Sequence, residues 1–237
     1  MDLRGNIMQR FLPILKKCTL FSNLTDDDIL HIAQCMRLSV RSYPADSYLF
    51  LVNDTVDSVG VVLDGEVEIA KESIIGGRHI IAILQSADIF GEGIVCTSNR
   101  QSPVIVRTRT ITNICYLPFE RLLRTCSNSC SFHTQLIYNM MLILGEKNLH
   151  LNRKLELLTL KGMREKIATY LLMIYQQSGT LQIELPFNRN ELAEYLNVSR
   201  TSMCRELRYM KEDGLIDYHM NHIKILDLDA LMECLEE

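Results

Sequence analysis

Apolar and polar positions change their period along this chain, and each period predicts a different kind of element. Near the start, residues 7 to 22 pattern as a short amphipathic helix and a loop. Thr25 before Asp26-Asp27-Asp28 is a helix cap, and three carboxylates in a first turn suit the helix dipole. Ile29, Ile32, Ala33 and Met36 give that helix its buried side. From Leu38 to Leu117 the pattern becomes one of short strands. Tyr43-Pro44-Ala45-Asp46 is a turn, and Val61, Leu63, Val67 and Ile69 alternate around Asp64-Gly65, which predicts a hairpin. Gly76-Gly77 marks another hairpin, leading into Ile80 to Leu84, and Gln85 to Asp88 turns the chain again. Val104, Val106 and Ile111 to Leu117 continue the sheet. Many short strands at this spacing imply a compact β-barrel or roll.

From about Cys130 the period lengthens. Ile137, Met141, Leu144, Asn148, Leu151, Leu155 and Leu158 are separated alternately by four and three residues. This is a heptad seam with Ile137, Leu144, Leu151 and Leu158 at d and Met141, Asn148 and Leu155 at a. Such a seam buries little unless a second helix faces it, and one Asn at an a position fixes a two-stranded register. The other reading is a helix packed on its own barrel with Asn148 in solvent. Thr159 to Gly162 is the joint that follows, and Ile167, Tyr170, Leu171 and Ile174 pattern as a further helix. Leu181-Gln182-Ile183 is a short strand before Pro186.

The stretch Asn188 to Lys211 reads as two short helices joined at Asn197-Val198. Asn188 and Glu191 have capping-box spacing, with Asn in place of Ser or Thr. Leu192, Ala193 and Leu196 form one apolar face. Ser199 caps a second helix, whose Met203, Leu207 and Met210 are buried in the pattern while Arg200, Thr201, Cys204, Arg205 and Arg208 lie opposite. A helix that enters a major groove needs this division. A solvated helical hairpin would show it too. Behind it come Gly214-Leu215-Ile216, two short strands around Asn221-His222 and a last helix after Asp227. A hairpin in that place is a wing, and it favours the DNA reader.

Composition narrows the rest. At 237 residues, 47% hydrophobic and 23% charged, the chain has the make-up of a soluble globular protein of one large or two ordinary domains. It has no apolar run near the ~18 residues of a membrane helix and no export signal, so a cytoplasmic protein is expected. The eight cysteines include no CxxC pair and are expected as reduced thiols. The net charge of −4 argues against coating nucleic acid by bulk charge. From Gly162 onward eight Lys or Arg face thirteen Asp or Glu, so any attraction to DNA comes from local placement along Arg200 to Lys211. Nucleophile–base pairs, metal-ligand spacings and phosphate loops of the Walker type are not found, which argues against an enzyme.

The pieces VVLDGEVEI, IFGE at 89–92, LPFNRNELAEYLNVSR and MKEDGLI, in this order with the heptad helix between, resemble the CRP/FNR family of bacterial transcription regulators. The resemblance runs from about Cys18 to Leu235. It implies an α+β chain: an N-terminal double-stranded, jelly-roll-like β-roll sensor domain over 1–128, a dimerisation helix and hinge over 129–161, and a C-terminal winged helix-turn-helix over 162–237. It further implies a homodimer on a pseudo-palindromic operator of double-stranded DNA, an effector sensed by the roll, and RNA polymerase as a partner if the protein is an activator. Carried over residue by residue, Arg200 and Arg205 match the family's two recognition-helix arginines, and Ser199 matches a phosphate-contacting position. Ser202 joins this set, and Arg208 and Lys211 are expected on phosphates. Thr201 stands where many members have a cytosine-reading Glu, so the usual half-sites do not transfer.

The sensor stretch departs from the family's nucleotide-binding pattern. Gly91, Glu92 and Gly93 are present, but Ser102 occupies the slot of the phosphate-pairing Arg, and Arg100 falls two residues early. A buried phosphate without a cation is costly, which argues against a cyclic nucleotide and leaves the effector unidentified. The alternative function is a cyclic-nucleotide-binding module acting through protein contacts. Only Cys18 and Cys35 stand early in the chain, which argues against an iron–sulfur cluster. Cys126 and Cys130 could pair or bind metal, Cys96 and His79 are the available haem ligands, and cysteine redox sensing stays open.

Overall fold

The computed structural model describes residues 3–72, 78–123, 131–185 and 187–235. The chain divides into two compact units, 1–147 and 148–237. The first opens with helices α1 (Leu3–Leu15) and α2 (Asp26–Cys35), the latter entered through a complete Thr25/Asp28 capping box. Eight strands follow: β1 (Ser39–Tyr43), β2 (Tyr48–Phe50), β3 (Ser58–Asp64), β4 (Val67–Glu72), β5 (Arg78–Leu84), β6 (Ile89–Phe90), β7 (Ile105–Thr108) and β8 (Thr112–Pro118). A short helix α3 (Glu92–Val95) interrupts them after β6, and α4 (Phe119–Leu123) closes the run.

Strand pairing is nested: β1 with β8, β2 with β7, β3 with β6 and β4 with β5, all antiparallel. The eight strands therefore behave as one long hairpin rolled up on itself, giving two four-stranded sheets, β1-β8-β3-β6 and β2-β7-β4-β5. This is the double-stranded roll expected from the sequence. The glycine pair expected at the β4–β5 turn, Gly76-Gly77, lies outside the described residues, as do Pro186, Cys126 and Cys130.

The hairpin expected at Asp64-Gly65 is corrected by this topology. β3 and β4 pair with other strands and lie in different sheets, so the turn hands the chain from one sheet to the other. Gly65 takes a φ of +89°, and a Cβ there would meet the Ile111 carbonyl oxygen at 2.5 Å. The alternation that suggested a hairpin has another cause. β3 is buried on both faces: Val59, Val61 and Leu63 join a core with α1 and α2, while Val62 faces the space between the sheets. That space is filled by Val67, Phe90, Val106, Ile114 and Tyr116, with Tyr43 and Phe50 at its edge. Gly60 is required there, because any Cβ would fall 2.2 Å from the Phe90 ring.

Helix α5 (Ser131–Thr159) contributes to both units. Phe132, Leu136, Met140 and Ile143 pack into the first unit's core, and Leu157 packs into the second's. The second unit continues with α6 (Met163–Ser178), β9 (Gln182–Glu184), α7 (Arg189–Tyr195), α8 (Arg200–Glu212), β10 (Ile216–His219), β11 (His222–Ile225) and α9 (Leu228–Glu233). Its three strands form one antiparallel sheet, β10-β11-β9, in which β10 and β11 make the expected wing. Among the described residues no helix is long and apolar enough to cross a membrane.

Candidate nucleic-acid interface and sensor site

Local rules place α7 and α8. The Asn188 side chain accepts from the Asn190 and Glu191 amides at 2.9 and 3.1 Å, and Glu191 returns a bond from the Asn188 amide at 2.8 Å. Asn therefore serves a capping box as Ser or Thr would. Asn197 takes the left-handed conformation, φ 52°, that ends α7, and the Val198 amide reaches back to the Ala193 carbonyl at 2.9 Å. Ser199 then caps α8, accepting from the Ser202 amide at 3.1 Å while its hydroxyl donates to that of Ser202 at 2.7 Å. Both serine hydroxyls thus lie at the helix N-terminus, where amides and dipole favour an anion.

Met203, Leu207 and Met210 are fully buried in the second unit's core. Arg200, Thr201, Ser202, Arg205 and Arg208 are exposed on the rest of α8, and Cys204 is half-buried. The cations on this helix are not equivalent. Arg208 lies 3.6 Å from Glu212 and over the Tyr209 ring. Lys211 pairs with Asp217 on β10 at 2.6 Å and sits 5.3 Å from the Tyr218 ring centre. That pair holds the Asp217 carboxyl below its ordinary range and the Lys211 ammonium above its own, chiefly through their mutual hydrogen bond. Arg200 and Arg205 make no ion pair among the described residues.

Three cations that the sequence pattern did not single out hold this unit together. Arg189 also lies over the Tyr218 ring, at 5.0 Å, and donates to the Met220 carbonyl at the wing tip, 2.9 Å away. Lys166 is buried in α6 and reaches the Leu196 carbonyl at the end of α7, 3.4 Å away. Arg164 bonds Glu206 and Asp213, each at 2.7 Å. Their partners lie twenty-nine or more residues downstream, beyond the reach of any local spacing rule.

The sensor residues meet different partners. Gly91, at φ 82°, caps α3, and Glu92 is buried with one carboxylate oxygen paired to Lys147 on α5. Its other oxygen, Oε2, has no partner among the described residues. Gly93 is open on its Cβ side. Arg100 turns its guanidinium over the Phe119 ring at 5.3 Å and to 3.8 Å from Glu120. Ser102 is buried, but its hydroxyl donates to the Val104 carbonyl at 2.8 Å and closes its own turn. No hydrogen bond or ion pair among the described residues joins Arg100 or Ser102 to Glu92. A second charged group, missed in the sequence, sits on the other sheet: Glu68 is buried, with Arg107 at 3.6 Å and Arg109 at 3.8 Å. Its signal was the alternation Arg107-Thr108-Arg109 opposite Glu66-Val67-Glu68, legible only once β4 is known to pair with β7.

Burial also sorts the thiols. It pushes Cys18 up to about 11 and Cys115 up to about 12, holding both protonated and unreactive. Cys96 is raised by burial and by the nearby Glu92 charge. His79 is exposed on β5. Along α5, Met141, Leu151 and Leu155 are 66%, 63% and 61% exposed, and Asn148 is exposed between them. Ile137 and Leu144, higher in the same seam, are partly covered by the first unit's core.

Comparison with known proteins agrees with this architecture. Residues 40–129 match the cyclic nucleotide-binding domain, and residues 165–234 match the Crp-like helix-turn-helix domain. The chain is 24% identical over 241 residues to the transcriptional activator protein FnrL of Cereibacter sphaeroides, covering 91% of this chain and 92% of that protein. It is 26% identical over 184 residues to the transcriptional activator protein FnrA of Stutzerimonas stutzeri, covering 76% of this chain and 73% of that protein. The catabolite activator protein of Thermus thermophilus shares the fold with a TM-score of 0.53 at 19% identity, over 92% of this chain and 98% of that one. Regulators of this type bind DNA through the helix-turn-helix and act as dimers. With both domains in this order on one chain, the protein belongs to the CRP/FNR family of transcription regulators.

Proposed function

We propose that this chain is a cytoplasmic homodimer that lays α8 in the major groove of a pseudo-palindromic operator, under control of an effector sensed by the roll. One observation carries the DNA reading. Arg200 and Arg205 project from the face opposite a fully buried stripe and have no ion-pair partner among the described residues. In this reading Arg200, Thr201 and Arg205 address base edges. Ser199, Ser202, Arg208 and Lys211 meet phosphates, the last after giving up Asp217. The dimer seam is Ile137, Met141, Leu144, Asn148, Leu151 and Leu155. Its support is the exposure of Met141, Leu151 and Leu155 in the isolated chain, apolar surface that a second α5 would cover. RNA polymerase is a further partner if the protein activates.

For the effector site, Glu92 supports a ligand that brings a hydrogen-bond donor. Arg100 and Ser102, committed elsewhere, do not supply the cation that a phosphate needs. Selection from random duplex DNA followed by footprinting tests the whole reading. The expected product is a two-fold site with half-sites one helical turn apart, about 34–36 Å. A single asymmetric site, or protection independent of sequence, would count against it. Titration with cyclic AMP and cyclic GMP in a calorimeter is expected to give no heat of binding; micromolar binding of either would overturn the effector reading.

A further inference from the structure

The polar contacts of the second unit place one cation where the joint after α5 meets the DNA-reading helix. Arg164 lies two residues after Gly162, in the first turn of α6. Its Nε donates to Glu206 on α8, and its terminal Nη2 reaches Asp213, the residue that caps α8, both at 2.7 Å. The guanidinium therefore grips α8 at two points about two turns apart. It has a planar, rigid donor set suited to such a two-point hold. Beside the joint a hollow of about 470 Å³ is lined by Thr159, Leu160, Lys161, Gly162, Glu165 and Cys234 as well as Arg164. The apolar contacts of α8 run through Met203, Leu207 and Met210, which fill a core, and the two ion pairs of Arg164 lie beside that stripe. Such directional polar contacts restrain rotation and sliding of α8 about it.

We propose that Arg164 is a positioning residue for DNA recognition: it sets the axial place and rotation of α8 relative to α6, and so aims Arg200 and Arg205. The pairing also neutralises two carboxylates on a helix that must approach phosphates. Position and charge make opposite predictions for one variant, which separates them. Glu206→Ala with Asp213→Ala removes both acceptors of the grip but makes α8 more positive. If Arg164 acts by position, this double variant and Arg164→Met both lose preference for the selected duplex over random DNA, by about tenfold. If it acts only by charge, the double variant binds all DNA more tightly at unchanged preference.

The inference rests on α8 being the element that meets DNA, so Arg205→Ala is measured beside these variants. The probe is the duplex that the wild-type chain selects from random sequence, competed against random duplex at several salt concentrations, with thermal melts confirming folding. Loss of preference in both clamp variants, with partial recovery in Arg164→Lys, is the expected result. Unchanged preference in Arg164→Met while Arg205→Ala loses it would overturn the proposal and leave the DNA reading intact. Unchanged preference in Arg205→Ala would overturn both. Hydrogen exchange of the free protein reads the same grip without DNA: protection over residues 206–213 falls equally in Arg164→Met and the double variant. If protection there does not change, the grip is absent and the proposal fails; Arg164→Lys serves this measurement should the Met variant not fold.

Discussion

Helix α8 and the sensor stretch both carry arginines and glutamates, yet Arg200 and Arg205 on α8 differ from the charges of the roll. On α8, Arg200 and Arg205 stand in solvent without a counter-ion among the described residues. In the roll, Glu92 is paired with Lys147, Glu68 with Arg107 and Arg109, and Arg100 lies against Phe119 and Glu120. An exposed cation costs little to maintain in water and keeps its full attraction for a polyanion. A charge inside a fold must be met by an internal partner, and it is then unavailable to a ligand unless the ligand replaces that partner. The difference separates a surface prepared for an external anion from an interior that has neutralised itself.

The largest test of that contrast is at its exposed end. Arg200→Ala and Arg205→Ala should each cost about 1–3 kcal/mol of discrimination for the selected site, with thermal stability unchanged. Competition binding against random duplex measures it. If either substitution lowers the melting temperature by several degrees while leaving discrimination intact, that arginine is structural. Next in size is Asn148→Leu. Asn148 is an exposed polar group inside an apolar stripe, and in a two-stranded seam its replacement should strengthen the dimer by about 2 kcal/mol or move it to a higher oligomer. An unmoved dissociation constant in sedimentation equilibrium would place Asn148 off the seam.

One residue away, Lys147→Met tests the interior end. It strips Glu92 of its cation and leaves both carboxylate oxygens without partners. Because Lys147 is half-exposed, the cost should fall near about 1–2 kcal/mol of urea-unfolding stability. Double substitution with Glu92→Gln should recover most of that loss. No change in the single variant would mean that the buried carboxylate is satisfied in another way.

The smallest effect is a pH dependence at His133. This ring is buried against Phe132, and neither nitrogen has a partner among the described residues. Burial lowers its affinity for a proton below the ordinary value of 6.5. The unfolded chain then takes up the proton first, so this group costs nothing above about pH 7. Stability falls as pH drops through 6.5 toward the folded value, at no more than about 1.4 kcal/mol per pH unit. His133→Phe should flatten the denaturation midpoint between pH 7.5 and 5. An unchanged slope would assign the acid sensitivity to other groups.

Local chemistry was legible in the chain, and pairing across distance was not. Thr25, Asn188 and Ser199 cap helices as their spacing requires, because capping involves atoms within three residues. The buried stripe Met203, Leu207, Met210 follows from a helical period alone. Asp64-Gly65 carries a hairpin signal because alternation on both sides looks the same whether two strands pair or part into facing sheets. Which strands pair is a property of the rolled chain. Likewise Arg164 and Lys147 carry no local mark, since Glu206 and Glu92 come to them only through packing.

By itself, then, the sequence determined the order of elements, the capped helices, the wing and the face that Arg200 and Arg205 share, all set by periods and turns within a few residues. Only the tertiary structure decided which charges are spoken for. Charge neutralisation depends on distances between residues tens of positions apart, and folding alone brings Lys147 to Glu92 while leaving Arg200 and Arg205 without a partner among the described residues.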